Sequence, residues 1–206
     1  MKLKRVIDLL VSTTSLVALA PVFALIALWI KLDSRGPVFF TQSRVGRRGV
    51  PFTILKFRTM VVGADKSGFF TAEADPRVTR CGRFLRATSL DELPQLINIL
   101  KGEMSVVGPR PTLEYQVAQY TDHQRRRLDV KPGVTGWAQV NGRNSLGWPE
   151  RIELDVWYVE HQSFWLDLKI VWRTLFVLLR GEGVYAAKDK FVVGKDDADK
   201  LGSGGA

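Results

Sequence analysis

Apolar residues run almost without interruption from Val6 to Ile30, broken only by Asp8 and the Ser12-Thr13-Thr14-Ser15 cluster. That is roughly the 20 residues a helix needs to cross a hydrocarbon core. Pro21 falls in the middle, where a proline removes a backbone hydrogen bond and clashes with the preceding turn, so the pattern predicts a membrane helix bent near Ala20-Pro21. Lys2, Lys4 and Arg5 precede the segment and Lys31 and Arg35 follow it, so the positive-inside rule assigns neither end to the outside. A helix that enters, bends and returns to the same face satisfies both basic flanks, and is favoured over a straight span. The Ser12 to Ser15 cluster can bond to backbone carbonyls within the segment. Ala18-Leu19-Ala20 resembles a signal-peptide cleavage site, but the next residue is Pro21 and the cysteine content shows no oxidising-compartment pattern.

Beyond the membrane segment the periodicity changes. Val38 to Val45 and Pro51 to Met60 are two β-rich runs separated by Gly46-Arg47-Arg48-Gly49, which predicts a hairpin with a basic tip. Arg44, Arg47 and Arg48 read as residues of a solvated turn, and Lys56 and Arg58 as the polar face of an alternating strand. Val61 to Pro76 is polar and contains glycine, the composition of a mobile loop. Leu90, Leu93, Leu96, Ile97 and Leu100 form the buried stripe of a helical region from Arg83 to Lys101. Leu113 to Val130 predicts another helix, with Arg125-Arg126-Arg127 on a solvated face. Two polar loops, at Lys131 to Gly136 and Asn141 to Asn144, bracket a short strand at Trp137 to Val140. Few charges occur between Asp167 and Arg180, so this aromatic-rich helix either lies in a membrane interface or is buried in the core. The predicted fold is α+β and mainly α-helical. A re-entrant membrane helix with basic flanks occupies residues 1–35, a cytoplasmic catalytic domain with a β-hairpin and amphipathic interfacial helices occupies 36–185, and 186–206 form a polar, flexible tail.

The 206 residues carry a formal net charge of +9, which favours an anionic partner: nucleic acid, an anionic membrane surface or a phosphorylated substrate. A single cysteine, Cys81, rules out an internal disulfide framework. With only His123 and His161 the chain has no Cys/His cluster of zinc-ligand spacing. A catalytic domain facing a reducing cytoplasm fits this composition.

The strongest candidate chemistry is the adjacent carboxylate pair Asp91-Glu92. Ser89-x-x-Glu92 is also a capping box, which by itself accounts for Glu92 but less well for Asp91. The pair sits at a helix start, an anion-binding position, with Arg80, Arg83 and Arg86 before it and Lys101 and Arg110 after it. Two weaker patterns fail on context. Gly181-Glu-Gly183-Val-Tyr-Ala186 follows a helix rather than a strand, and Asp197-Ala-Asp199 lies in the polar tail.

Six ordered motifs resemble the monotopic bacterial phosphoglycosyl transferases, the bacterial sugar transferase family. They are Gly36-Pro-Val-Phe-Phe-x-Gln42-x-Arg44, Pro51-Phe-x-x-x-Lys56-Phe-Arg58-Thr-Met60, Asp75-Pro-Arg-Val-Thr-Arg80, Thr88-Ser-Leu-Asp-Glu-Leu-Pro-Gln-Leu96, Gly102-Glu-Met-Ser-Val-Val-Gly-Pro-Arg-Pro111, and Pro132-Gly-Val-Thr-Gly136 with Asn141-Gly-Arg143. The short form of the family is the most similar. Ala20-Pro21 stands where many members carry Ser-Pro, and Leu55 where tyrosine often precedes the Lys-Phe-Arg triplet.

The resemblance implies transfer of a phosphosugar from a UDP-sugar to polyprenol phosphate, such as undecaprenol phosphate, with release of UMP. In that scheme Asp91 is the nucleophile and forms a covalent phosphosugar intermediate, with Glu92 as its partner and Mg2+ held at or near the pair. Arg86 and Arg110 become phosphate clamps. Arg143 and Lys56 are further substrate-binding candidates, and Asp155 matches a family acidic position that an interior ion pair explains equally well. The expected setting is the inner leaflet of the bacterial cytoplasmic membrane, and the resemblance leaves room for a homodimer. The competing readings are a UDP-sugar hydrolase and a membrane-tethered nucleic-acid-binding module. The second needs aromatics interleaved with basic residues, whereas the aromatics here cluster in apolar segments.

Overall fold

The computed structural model describes residues 2–64, 75–142 and 145–180. The N-terminal apolar run forms two helices, α1 (Lys2–Ala18) and α2 (Ala20–Asp33), whose axes differ by 62°. Ala20 and Pro21 open α2, and the break falls one residue earlier, at Leu19. Pro21 has no N–H to give to the turn before it, and its ring crowds that turn. The flanking bonds survive, from Leu19 N to Ser15 O at 2.9 Å and from Phe23 N to Leu19 O at 2.9 Å, so the disruption is confined to one turn. Among the described residues no single helix is long and apolar enough to cross a membrane.

Helix α1 is patterned inside out. Asp8 and Ser12 are buried, while Leu3, Val6, Leu10 and Val17 are exposed. A helix exposed to water has the opposite arrangement. The Asp8 carboxylate accepts hydrogen bonds from Ser105 Oγ at 3.0 Å and from Val106 N at 2.9 Å. Arg5 donates to the carbonyls of Ile99 and Leu100, and Lys4 pairs with Asp167. The basic flank therefore anchors α1 to the rest of the chain. Within α1, Ser12 and Thr14 donate to the carbonyls of Asp8 and Leu10, as the polar cluster predicts.

Helix α2 is fastened at its far end. Arg58 donates to the carbonyls of Ser34 and Arg35, satisfying acceptors at a helix C-terminus. Arg58 is thus buried, not part of an exposed polar strand face. The Asp33 carboxylate accepts from Cys81 N at 2.9 Å. Ile26 and Ile30 then pack with Phe57, Cys81 and Leu85.

The predicted hairpin is present as β1 (Phe39–Val45) and β2 (Pro51–Phe57), antiparallel, with Phe39 opposite Phe57 and Val45 opposite Pro51. Its tip is a 3-10 turn in which Arg48 takes a left-handed φ of 58°. Arg47 at this tip is not simply solvated, because its Nε donates to Asp129 O at 2.8 Å.

The helical region expected over 83–101 is divided. Helix α3 (Arg80–Thr88) stops where Ser89 turns left-handed, a 3-10 turn covers Leu90–Glu92, and α4 (Gln95–Lys101) restarts after Pro94. Leu90 and Leu93 still reach the α2 cluster, and Leu96 packs on Ile54, Ile99 and Met104, so the stripe is core across the break. Asn98 of α4 stitches that helix to β2, donating to Thr53 O at 2.7 Å and accepting from Leu55 N at 3.0 Å.

A second, parallel pair joins β3 (Ser105–Val107) to β4 (Gly133–Thr135). Here Gly108 and Gly133 bring two backbones together, since a Cβ on Gly133 would stand 2.1 Å from Gly108 N. The strand expected at Trp137 to Val140 is instead the short helix α7 (Trp137–Val140). Its turn is closed by Val140 N to Gly136 O at 3.1 Å and by the Asn141 amide donating to Trp137 O at 2.7 Å. The helix expected over 113–130 is likewise broken, into α5 (Glu114–Ala118), α6 (Asp122–Arg125) and a 3-10 turn at Arg126–Leu128. A capping box between Thr121 and Gln124 restarts the chain there.

Helices α8 (Trp148–Glu160) and α9 (Phe164–Arg180) complete the described fold. Ile170 and Leu166 of α9 pack into a cluster with Val107 and Tyr158. The other side of α9 exposes Trp165 (74%), Leu168, Trp172 (62%), Leu175 and Phe176. Core contact and an open apolar face thus coexist on this helix.

Candidate active site

Asp91 and Glu92 occupy the 3-10 turn between the left-handed Ser89 and Pro94. The capping-box geometry is not adopted, because Ser89 makes no side-chain cap bond. The Glu92 carboxylate turns instead to Lys56 Nζ at 2.7 Å and to Arg110 Nη2 and Nη1 at 2.6 and 3.3 Å. With its side chain 15% exposed, Glu92 thereby ties β2 to the Pro-Arg-Pro segment after β3.

The neighbouring carboxylates sit in opposed fields. Burial alone would raise the Glu92 carboxyl, but Arg110 and Lys56 outweigh it and hold it well below the usual carboxylate range. Asp91 moves the other way. Burial raises it, helped by the charge of Glu92 and opposed by Lys56, Arg86 and Arg110 acting through space. Asp91 accepts no hydrogen bond among the described residues, so its oxygens remain available to a ligand or cation. Lys56 is lowered from the ordinary amine range by burial, against the pull of Glu92. Adjacent acids driven apart in this way take different chemical roles.

The remaining predicted residues fall in three places. Arg86, on the last turn of α3, donates from Nε to Thr59 Oγ1 at 2.9 Å and is one of the cations acting on Asp91. Asp155, on α8, lies in the interior, where it forms an ion pair with Arg127, each side chain 3% exposed. Arg127 also donates to the Tyr120 hydroxyl at 2.5 Å and to Arg110 O at 3.0 Å, so Asp155 supports the backbone that carries Arg110. Arg143 lies outside the described residues.

Two further arginines, one of them the motif residue Arg44, feel the charge of Arg110. Arg44, read from sequence as part of a solvated turn, is brought down to about 10 by burial and by the nearby charge of Arg110. Its Nη2 donates to Gln42 Oε1 at 2.7 Å, but its buried Nε has no partner among the described residues. Arg151 is likewise brought down to about 10 by burial and Arg110, and its guanidinium donates to Leu146 O. The signal for Arg44 was present in the strand alternation. Phe40 stands opposite Lys56 and Arg44 lies four residues along from Phe40, which puts Lys56 and Arg44 on one face of the hairpin.

No group of three or more His, Cys, Asp or Glu residues is assembled for a metal among the described residues. A magnesium ion needs less from the protein, since one or two carboxylates plus substrate phosphate oxygens suffice. The unengaged Asp91 carboxylate fits that requirement, whereas the oxygens of Glu92 are already bonded to Lys56 and Arg110.

The fold thus holds an unbonded carboxylate inside a cationic shell, and helices α1 and α9 present apolar outer faces. The chain matches the bacterial sugar transferase family over residues 1–181 and belongs to that family. It is 47% identical to the uncharacterized sugar transferase EpsL of Bacillus subtilis, covering 89% of this chain and 91% of that protein. It is also 47% identical to the UDP-glucose:undecaprenyl-phosphate glucose-1-phosphate transferase of Escherichia coli, over 84% of this chain and 39% of that one. Identity to the undecaprenyl-phosphate galactose phosphotransferase of Salmonella typhimurium is 40%, over 89% and 42%. The chain thus spans less than half the length of the latter two relatives. The resemblance to phosphoglycosyl transferases carried by the six motifs therefore holds.

Proposed function

We propose that the protein transfers a phosphosugar from a UDP-sugar to polyprenol phosphate on the inner face of the cytoplasmic membrane, through a phosphosugar ester on Asp91. The observation that carries this reading is the division of labour in the carboxylate pair: Glu92 is fully engaged by Lys56 and Arg110, and Asp91 is left unbonded among their charges. The donor class follows the name of the Escherichia coli relative, and the acceptor the names of the Escherichia coli and Salmonella relatives.

In the first step an Asp91 oxygen attacks the sugar-linked phosphorus. The bond from that phosphorus to the bridging oxygen breaks, and UMP leaves with the electron pair. In the second step a phosphate oxygen of the lipid attacks the same phosphorus, expelling the Asp91 carboxylate and forming a polyprenol diphosphate-sugar. Two anions must meet in each step, so cationic groups have to offset their repulsion. Arg110 and Arg86 provide planar forks for phosphate oxygens, and Lys56 and Arg44 add charge from the hairpin face. Glu92 keeps Lys56 and Arg110 in place. Magnesium held at Asp91 would neutralise diphosphate charge as the substrate binds.

The membrane-facing helices suit a lipid acceptor. At 1.5 Å per residue α1 and α2 are roughly 25 and 21 Å long, and arms bent by 62° and inclined equally would reach a depth of only about 11–13 Å. Placed with both basic ends on one face, the segment stays within less than half of a ~30 Å hydrocarbon core, so it fits one leaflet. The decisive experiment omits the lipid. Incubation with UDP-sugar and magnesium alone should release up to one UMP per active site and add a phosphosugar mass to the peptide containing Asp91, and Asp91→Asn should abolish both. UMP release only when lipid is supplied, with no adduct under rapid quench, would make Asp91 a metal ligand in a ternary-complex transferase. Continuous UMP release into water would make the enzyme a hydrolase.

A further inference from the structure

Beside the acidic turn lies a cavity of about 180 Å³. Its lining includes Glu92, Leu93 and Leu96, together with Val140 of α7 and Val177 and Leu178 of α9. Leu93 also packs on the α2 cluster of Ile26 and Ile30. The cavity is therefore lined in part by α9, whose outer face is apolar, is linked through Leu93 to α2, and includes Glu92 of the candidate site in its lining.

Most of the lining is apolar, and the hydroxyls of Thr135 and Thr174 and the Gln139 amide nitrogen already donate within the protein. Thr174 Oγ1 donates to Ile170 O at 2.7 Å, so it must accept from Thr135 Oγ1, which lies 2.7 Å away. That chain uses both hydroxyl protons. The Gln139 amide nitrogen donates to Val134 O at 2.8 Å. A sugar placed here would meet few free donors, and burying its hydroxyls without partners is costly. The volume also selects. A dry cavity of roughly 150 Å³ accommodates a benzene-sized hydrocarbon, so this one takes about one five-carbon isoprene unit, far less than a nucleoside.

Building on the transfer reaction proposed above, we infer that this cavity binds the phosphate-bearing isoprene unit of the lipid acceptor. Held there, the first unit places its phosphate beside Glu92, among Arg110 and Lys56, while the rest of the chain leaves between α2 and α9 toward the hydrocarbon. The pocket would then distinguish a prenyl phosphate from phosphates lacking that branched unit.

Two measurements test this. In nanodiscs, the filling variants Val177→Phe and Val140→Phe should each raise the KM for polyprenol phosphate roughly 10- to 100-fold, the range expected when a buried apolar group is displaced. The KM for the UDP-sugar should stay within about twofold, and Leu175→Phe on the exposed face of α9 should change neither constant. A rise in the donor KM alone would show that the sugar occupies the cavity, and no change in either constant would show that nothing does; both overturn the inference. Independently of turnover, a prenyl phosphate carrying a diazirine on its first isoprene should crosslink to peptides containing residues 134–140 and 174–178 in the wild type, and less in Val177→Phe. Crosslinks confined to α1 and α2 would refute the assignment. Because labelling needs no sugar transfer, an enzyme inactive with every UDP-sugar would count against the proposed reaction while this arm still decided the pocket.

Discussion

Replacing Asp155 by asparagine removes one charge from a pair that is almost wholly enclosed. Arg127 would keep its bonds to the Tyr120 hydroxyl and to Arg110 O but lose its only ion-pair partner among the described residues. Breaking a buried pair from one side costs about 3–5 kcal/mol because the surviving charge is left desolvated. Asparagine retains an acceptor oxygen, which puts the expectation near the lower end. A chain of this length shifts its Tm by about 2–4 °C per kcal/mol. Asp155→Asn should therefore lower the Tm by about 6–12 °C, followed by tryptophan fluorescence in nanodiscs. The exposed pair Arg126–Glu160 supplies the contrast. Its side chains are 48% and 36% exposed, so Glu160→Gln should cost less than about 1 kcal/mol. The double variant Asp155→Leu with Arg127→Met should recover much of the stability, since a buried pair replaced by apolar groups is often neutral. It should not recover full kcat/KM, because the brace on the Arg110 backbone is gone. An unchanged Tm in Asp155→Asn together with a raised donor KM would refute the interior-brace reading and place Asp155 in contact with substrate.

Alanine at Arg86 or Arg110 should lower kcat/KM by about 10²-fold or more, the cost of losing one preorganised donor. Arg44→Ala should fall in the same direction and Arg126→Ala should do little; equal effects at all four would indicate a diffuse field instead. Because burial raises Asp91, it should take up its proton above the ordinary aspartate range as the pH falls, while Glu92 stays ionised. Single-turnover UMP release should then decline on the acid side with an apparent pKa above 3.8, and a profile flat to pH 4 contradicts this. Burial pushes the Cys81 thiol up to about 11, leaving a thiolate fraction on the order of 10⁻³ at pH 8, so a maleimide should label it only after unfolding. Rapid labelling of the folded enzyme would show that α3 opens readily. With Cys81 silent, Lys2→Cys and Arg35→Cys should both resist an impermeant reagent in intact cells if the bent pair returns to its own side, and reactivity at one end alone would establish a spanning helix.

Local rules carried much of this protein. Proline at position 21 forecasts the bend, strand alternation forecasts the hairpin, and the apolar stripe from Leu90 to Leu96 forecasts a buried side even though Ser89 and Pro94 divide the helix. The ordered motifs identified the family, and the adjacency of Asp91 and Glu92 singled out the candidate site. Which of the two carboxylates is free was not local information. It depends on Lys56, 36 residues before Glu92, and on Arg110, 18 residues after it. Arg125, Arg126 and Arg127 look alike in sequence, yet only Arg127 is buried, because α8 brings Asp155 across to meet it. The strand expected at Trp137 to Val140 formed instead at Gly133 to Thr135, where glycine lets the chain approach Gly108 of the partner segment. Hydrophobic period and turn chemistry act between residues a few positions apart, so sequence spacing reveals them. Burial, charge pairing and backbone approach are set by distant segments, and those are specified only once the chain has folded.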